Sequence, residues 1–519
     1  MAIVSNTAET VHSRPAQRIQ ADSLAFGILF ALVLTVIQRV VGLARSLLFC
    51  RMLPDEQLGQ WSLVYSFLIF FAPLVVLGLP GSFGRYVEHY RQRNQLRTFL
   101  ARTALFTGIL SVAALVFMSL EGELFSKFIF GNTTQANNIC LIGIVLLIIV
   151  WHNFLAELLQ SLRQIRLVAW MRFASSITFA VASFVLAIVM GPTVSSIVIG
   201  YAIGFVVGTL PGIIYLLRNH TAISATADLS HVSMWRKILP YAGWVWVLNA
   251  IVNLFGLADR YMLLHYSPLR NEAAQSAVGQ YHSGLVLPMM LENLATLIGG
   301  ALLPFMAAAW EQGKKSESSR LLRTTLKLSA TSFTFGSVVT LAFCPWLFEH
   351  VLQGRYGAGL SVLPMAFAYY IWSALTMICI TYLWCAERGW NSAIALGIAL
   401  ISNVILNALF IPSYGIYGAV AATMAANFLA LLLIYVISWK NGWQIDWGVW
   451  LTSLLPLVLL TSQAIALSVL LCLVALILNG NRILDADEKK LCRQFVDRFR
   501  RRFAPLFAPL LALLDRRES

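Results

Sequence analysis

The feature that most constrains this fold is a succession of apolar runs, each long enough to cross a membrane as a helix. A polar stretch at 218–237 divides them into two sets of six. The first set lies at roughly 23–50, 60–84, 98–119, 138–162, 166–190 and 194–217; the second lies at roughly 238–264, 280–309, 326–349, 360–385, 391–411 and 415–439. With 59% hydrophobic and 12% charged residues, the chain is predicted to be an all-α polytopic membrane protein.

The two sets of spans carry a sequence repeat. Two triplets recur, Gly42-Leu43-Ala44 as Gly256-Leu257-Ala258 and Gly59-Gln60-Trp61 as Gly279-Gln280-Tyr281. A stripe on one helical face also recurs at a constant offset of 214 residues, with Thr35, Arg39, Gly42 and Ser46 matched by Asn249, Asn253, Gly256 and Arg260. Because the repeat is displaced by an even number of spans, it predicts two parallel six-helix lobes around a central path.

The distribution of basic residues predicts the orientation. If the N-terminus is cytoplasmic, most loop arginines and lysines lie inside, and the outside loops hold only Arg51, Lys127, Arg270 and Arg355. The sequence therefore predicts a membrane protein with both termini in the cytoplasm. The net charge of +14 is mostly this topology signal, so it does not indicate nucleic acid as a partner.

The end of the chain predicts two more crossings. One long span over 448–479 would place the basic tail outside, so we interpret this run as two short spans, which gives about 14 transmembrane helices. Twelve spans plus a re-entrant pair is the alternative. The predicted organisation is a cytoplasmic segment at 1–22, an N-lobe at 23–217, an inter-lobe loop at 218–237, a C-lobe at 238–440, a final helix pair at 441–480 and a basic amphipathic cytoplasmic tail at 481–519.

Arginines inside the apolar runs are candidates for a substrate path, because a charge at mid-membrane is costly unless it faces a cavity or a partner. Arg39 lies mid-span, where its guanidinium could contact a phosphate or an acidic sugar, or form an ion pair with Glu292 or Glu157. Arg45 and Arg260 lie nearer the outer ends of their helices, where snorkelling is the alternative to a path role.

Uncharged and acidic groups complete the candidate path. Asn249 and Asn253 belong to the repeated stripe, Asn153 and Glu157 share one face of the fourth span, and Glu292 is central in the eighth. Either glutamate could bind a coupling proton or sodium ion. The sequence predicts no other cofactor and no metal site, since neither metal-ligand spacing nor a phosphate-binding loop occurs.

Several motifs resemble one known family. The segment from Asn403 to Thr423 resembles the "N…LN…IP..G..GA..AT" segment of polysaccharide transporters, in the multidrug/oligosaccharidyl-lipid/polysaccharide flippase superfamily. Arg51-Met-Leu-Pro-Asp-Glu-Gln-Leu-Gly59 is similar to the family's turn after the first span, and Asp259-Arg260 is similar to its "DR" stretch at the seventh. Adjacent helical residues diverge by about 100°, so we expect Asp259 to form a positioning ion pair within its lobe and not to share a ligand with Arg260.

The resemblance implies fourteen spans and a flippase that moves undecaprenyl-diphosphate-linked oligosaccharide across the inner membrane by alternating access. The polysaccharide would be an O-antigen, as in lipopolysaccharide, or an exopolysaccharide, and a polysaccharide polymerase is a possible partner. The alternatives are a cation-coupled small-molecule or drug antiporter, a peptidoglycan-precursor flippase, and a membrane polymerase or ligase. No catalytic cluster or large extramembrane loop supports an enzyme, so we predict that the chain is not one.

Overall fold

The computed structural model describes residues 24–219, 229–479, 483–486 and 488–490. Three predicted regions lie wholly or partly outside these residues: the segment 1–22, the part of the inter-lobe loop at 220–228, and the tail beyond Lys490. The apolar face predicted for that tail, which comprises Leu491, Phe495, Phe499, Phe503 and Leu506, is therefore also outside the described residues.

The described part of the chain is helical and contains no strand. The helices are α1 (Leu24–Met52), α2 (Asp55–Val75), α3 (Phe83–Gln92), α4 (Leu96–Leu120), α5 (Gly122–Phe130), α6 (Ile139–Ser161), α7 (Ile165–Val189), α8 (Val194–Arg218), α9 (His231–Tyr266), α10 (Glu272–Leu285), α11 (Met289–Glu311), α12 (Lys315–Trp346), α13 (Gly357–Cys385), α14 (Gly389–Lys440), α15 (Trp447–Leu454) and α16 (Gln463–Asn479).

Eleven helices of the described chain are long and apolar enough to cross a membrane. One of them, the 52-residue α14, consists of two helices joined at a kink, where Gly415 adopts a φ of 53° three residues after Pro412. Two shorter apolar segments follow at Trp447–Leu460 and Gln463–Leu476. With α14 counted as two, the described residues contain fourteen apolar segments, which confirms the predicted all-α polytopic membrane protein.

The chain forms two compact units. Of the described residues, the first unit contains those up to Arg45 and those of Val64–Asn253, and the second contains Ser46–Leu63 and those from Leu254 onward. Helices α1, α2 and α9 therefore each contribute to both units. The lobe boundaries near 217 and 238 remain predictions.

In the first unit, an aromatic core fixes α6 against its neighbours. Phe83 of the short helix α3 packs edge-to-face on Phe99 of α4, with ring centroids 5.8 Å apart, and on Phe154 of α6 at 5.0 Å. Helix α7 packs closely against α8 at Gly204, where a built Cβ would lie only 2.8 Å from the Cβ of Phe179. These contacts position the polar residues of α6 and α7.

In the second unit, Lys327 of α12 binds both ends of the segment that contains α15 and α16. Its ammonium, 2% exposed, donates to Asp446 Oδ2 at 2.5 Å and to Glu488 Oε2 at 2.9 Å. Asp446 precedes α15 and Glu488 follows α16, so both ends of this segment meet at one ammonium group. Helix α15 with its following 3-10 turn and helix α16 each rise about 25 Å, close to the thickness of the hydrocarbon core, which favours two short spans.

Candidate functional site

The repeated Gly-Gln motifs meet where α2 crosses α10 in the second unit. Gly59 and Gly279 face each other so closely that a Cβ on Gly59 would lie 1.8 Å from the carbonyl oxygen of Gln275. Reciprocally, a Cβ on Gly279 would lie 2.0 Å from the carbonyl oxygen of Asp55. Asp55 precedes Gly59 by four residues, and Gln275 precedes Gly279 by the same number. The contact is therefore self-complementary, like an isologous interface between two copies.

Hydrogen bonds across this crossing follow the same symmetry. Gln60 donates from Nε2 to Oε1 of Gln275 at 2.8 Å, and Gln280 donates from Nε2 to Oδ2 of Asp55 at 2.5 Å. Gln60 and Gln280 match each other in the repeat, and so do their partners, Gln275 and Asp55. The sequence repeat is thus also a spatial repeat at this crossing.

A third matched pair connects the crossing to Arg260. Ser62 and His282 are 220 positions apart, and the Ser62 hydroxyl lies 3.1 Å from His282 Nδ1. Arg260, 8% exposed, donates from Nε to the Ser62 hydroxyl at 2.9 Å and from Nη1 to the carbonyl oxygen of Gly256. This predicted path residue is therefore buried in the crossing, a position that the snorkelling alternative did not anticipate.

Asp259 points away from Arg260 into a group of neutral donors. Its carboxylate, in a residue only 4% exposed, accepts hydrogen bonds from Tyr281 at 2.8 Å and Thr423 at 2.7 Å on Oδ2. On Oδ1 it accepts hydrogen bonds from Asn403 at 3.1 Å and Asn407 at 2.7 Å. Among the described side chains no cation lies within 4 Å of this carboxylate, so the ion pair expected for Asp259 is not formed.

The Asp259 group joins the two motifs that carried the family resemblance. Asn403 and Asn407 lie before the kink of α14 and Thr423 lies after it, so the Gly415 turn brings both halves of α14 to one carboxylate. Its carboxylate, amide and hydroxyl oxygens are the ligand types that hard cations take, and amide rotation would turn the two asparagine oxygens toward Asp259. This group could hold a small cation.

In the first unit, polar side chains of α1, α6 and α7 form a second group. Arg39 of α1 is exposed, and Arg172 of α7, also exposed, acts electrostatically on both Arg39 and Glu157. Arg172 also donates from Nη2 to Oε1 of Gln160 at 3.3 Å. Asn153, one turn before Glu157 on α6, is exposed and Glu157 is half-buried. We call these residues of α1, α6 and α7 the cationic cluster.

The arginines at this site, Arg39, Arg45 and Arg172, lack acidic partners among the described residues. Arg45 is half-buried, with its guanidinium carbon 4.2 Å from the centroid of the Phe179 ring, a cation–π contact. Among the described side chains, no carboxylate oxygen lies within 4 Å of Arg39, Arg45 or Arg172. The ion pair considered for Arg39 is therefore absent from this structure, and its charge remains available to a ligand.

The remaining candidates have local partners. Asn249 and Asn253 of α9 each donate to a carbonyl one turn earlier, at 3.0 and 2.8 Å, so these donors satisfy their own helix. Glu292 of α11 is half-buried and accepts a hydrogen bond from the Ser373 hydroxyl of α13 at 2.5 Å.

Sequence reasoning missed Arg172 and the full set of Asp259 donors. Arg172 lies two turns inside α7, and the signal available was an arginine within an apolar run. Thr423 and Tyr281 gave no separate signal, because only tertiary folding brings them to Asp259.

The comparisons with known proteins identify the class. Residues 24–310, more than half of the chain, match the model of a family described as polysaccharide biosynthesis protein. The chain belongs to this family. No relative is found among curated protein sequences.

Solved structures share the fold at low sequence identity. The lipid II flippase MurJ in its inward closed conformation superposes with a TM-score of 0.69 at 16% identity, covering 87% of this chain and 98% of that chain. An inward-facing multidrug resistance MATE family transporter of the MOP superfamily gives 0.63 at 14% identity, covering 80% and 98%. A MOP superfamily transporter from Pyrococcus furiosus gives 0.55 at 13% identity, covering 80% and 95%. The family match confirms the predicted resemblance to polysaccharide biosynthesis proteins. The solved structures show that this chain shares its fold with a lipid II flippase and with multidrug transporters.

Proposed function

We propose that this protein is a flippase that moves undecaprenyl-diphosphate-linked oligosaccharide across the bacterial inner membrane during O-antigen or exopolysaccharide biosynthesis. The observation that supports it best is the cationic cluster, where Arg39 and Arg172 lie exposed on membrane helices without a carboxylate partner. An arginine at mid-membrane is costly by about 2.5 kcal/mol or more, so its retention favours a role with an anionic ligand.

A diphosphate fits this cluster chemically. The guanidinium fork donates two parallel hydrogen bonds that match phosphate oxygens, and two arginines offer the charge that a diphosphate needs. In this proposal Arg39 and Arg172 bind the diphosphate, Arg45 supports them, and Glu157 orients Arg172. The amides of Asn153 and Gln160, both exposed beside them, would bind sugar hydroxyls.

Alternating access is the proposed mechanism. The α2–α10 crossing is held by backbone contact at two glycines and by polar side-chain pairs, without a covalent link. Such a contact can close tightly and part without exposing a large apolar surface. We further propose cytoplasmic termini, as basic-residue placement predicts, and a polymerase as a possible downstream partner.

The energy source is proposed to be a coupling ion, either a proton or sodium. Glu157 and Glu292 are half-buried carboxylates, as a reversible proton site requires. The Asp259 group supplies oxygen ligands and suits sodium better. The half-buried Glu292 also keeps the second candidate open, a cation-coupled small-molecule antiporter.

The decisive experiment measures which leaflet holds the lipid-linked oligosaccharide in cells that lack the protein. We expect repeat units to accumulate on the cytoplasmic face and to be cleared by the wild type but not by Arg39→Ala. A matched control is Arg51→Gln, which removes an exposed arginine at the end of the same helix. Units that still reach the outer face but remain unpolymerised would overturn the proposal in favour of a later enzyme. An unchanged lipid-linked pool would favour the antiporter.

A further inference from the structure

An apolar groove runs along α4 and α6 on the outer surface of the first unit. Its volume is about 900 Å³, and every lining residue is apolar. The α4 wall is strongly exposed, with Leu105 66% and Leu120 78% accessible. Because α4 is a membrane-spanning helix, this surface faces hydrocarbon chains.

A glycine opens the groove at its middle. Gly108 lies among the lining residues, and a Cβ built there would lie 3.5 Å from Trp151 Cζ2 of α6, an ordinary contact distance. An alanine therefore fits at this position, whereas a longer side chain would fill the groove. The groove spans Ala104 to Leu120, a rise of about 24 Å along the helix.

Arg102 stands at one end of this apolar stripe. Residues 102, 105, 109, 112, 116 and 120 follow each other at spacings of three and four, so Arg102 shares the face of Leu105 and Leu120. Its side chain is half-buried, and among the described side chains no carboxylate oxygen lies within 4 Å of it. An arginine at the end of an apolar stripe, without an acidic partner, leaves its charge for the phosphate of a lipid headgroup.

We infer that this groove binds one phospholipid of single net negative charge, with its phosphate on Arg102 and an acyl chain against Gly108 and Trp151. One guanidinium balances the single charge of a phosphodiester, whereas a diphosphate suits the several arginines of the cationic cluster. A half-bilayer measures about 15 Å, so the groove accommodates the whole length of a chain that enters from the Arg102 end. This inference does not depend on the proposed transport activity.

The test uses the full-length protein, purified in detergent, freed of lipid and titrated with phosphatidylglycerol. Native mass spectrometry counts bound lipid, and the thermal midpoint reports stabilisation. We expect one tightly bound lipid. Arg102→Gln should weaken it about tenfold through loss of a charge-assisted hydrogen bond. Gly108→Leu should weaken it by a comparable factor, while Gly108→Ala and Arg97→Gln retain it. Arg97 is an exposed cation on the same helix and serves as the matched control.

Three results would overturn the inference. Equal weakening by Arg97→Gln and Arg102→Gln would indicate general surface attraction. Equal binding of phosphatidylcholine would remove the role of net charge. Displacement of phosphatidylglycerol by an equal concentration of polyprenyl phosphate would assign the groove to a lipid carrier.

Discussion

Gly59 and Gly279 bring the backbones of α2 and α10 into direct contact, at positions that match in the internal repeat. Neither position has space for a Cβ. A Cβ on Gly59 would clash with the carbonyl oxygen of Gln275, and a Cβ on Gly279 would clash with that of Asp55. Asp55 and Gln275 also match each other in the repeat. Two similar segments of one chain therefore pack as two subunits of a homodimer do across a two-fold axis.

This contact predicts strong sensitivity to small substitutions. Gly279→Ala should destabilise the protein by about 1–3 kcal/mol or more, since the helices must separate to admit a methyl group. Gly336→Ala on α12 is the control, because a Cβ there meets nothing within 4 Å. The measurement is the thermal midpoint in detergent. Equal midpoints for the two variants would contradict the close contact.

The cationic cluster predicts a loss of transport without a loss of folding. Arg172→Gln should lower the rate of oligosaccharide translocation about tenfold or more, since it removes a charge-assisted contact to phosphate. Its exposed side chain bonds only Gln160 among the described residues, so stability should stay within about 0.5 kcal/mol. The rate is measured as appearance of substrate in the outer leaflet. A rate equal to that of Arg51→Gln would argue against the cluster as the binding site.

Asp259 is predicted to be essential for stability. Asp259→Ala removes the acceptor for buried donors on Tyr281, Asn403, Asn407 and Thr423, which should destabilise the protein by about 3 kcal/mol or more. Asp259→Asn keeps one oxygen acceptor and should lose less. The free energy of unfolding would show this order, and a milder effect of alanine than of asparagine would refute the network.

The same group predicts a cation effect that separates binding from packing. If Asp259 and its neighbouring oxygens hold sodium, then replacing choline chloride with sodium chloride should raise the thermal midpoint of the wild type but not of Asp259→Asn. An equal rise in both proteins would place any sodium effect elsewhere.

Lys327 predicts a large penalty for breaking a buried charge group. Lys327→Met removes the nearer of two cations from Glu488, 0% exposed, and from Asp446, and leaves only Arg323 Nε, 3.9 Å from each carboxylate. The loss should destabilise the protein by about 3–5 kcal/mol. Adding Glu488→Gln to that variant should recover part of the loss, because one of the two negative charges is removed. A double-mutant cycle on thermal stability measures this coupling, and simple additivity would show that the pair does not interact.

His89 on α3 predicts a pH effect outside the membrane. Burial, together with the charges of Lys237 and Arg93, holds the pKa of His89 below its usual range, with Lys237 Nζ 2.9 Å from Nε2. A lowered pKa in the folded state contributes stability above the unfolded pKa of about 6.5 and loses it as the pH falls. Lys237→Met should move the His89 pKa upward, measured by NMR of labelled histidine. No movement would mean that Lys237 is too far from His89 in solution.

Much of the architecture was predictable because the membrane allows few solutions. Apolar runs of spanning length define the helices. The parallel relation of the two halves stays a prediction from the even displacement of the repeat. The even number of crossings after Asp446, predicted from the basic tail, stays a prediction, with which the contacts of Lys327 agree. Each of these properties depends on local composition or on counting, which a sequence displays directly.

The partners of individual polar residues were decided only by tertiary structure. The sequence offered Glu157 and Glu292 as partners of Arg39, but no described carboxylate pairs with it. The sequence predicted that Asp259 forms an ion pair with a cation. In the structure, the kink at Gly415 instead brings amide and hydroxyl donors to its carboxylate. Helical spacing predicts which residues share a face of a helix. It does not predict which helix that face contacts, because this depends on how helices distant in sequence cross. Packing at residues such as Gly59 and Gly279 determines those crossings.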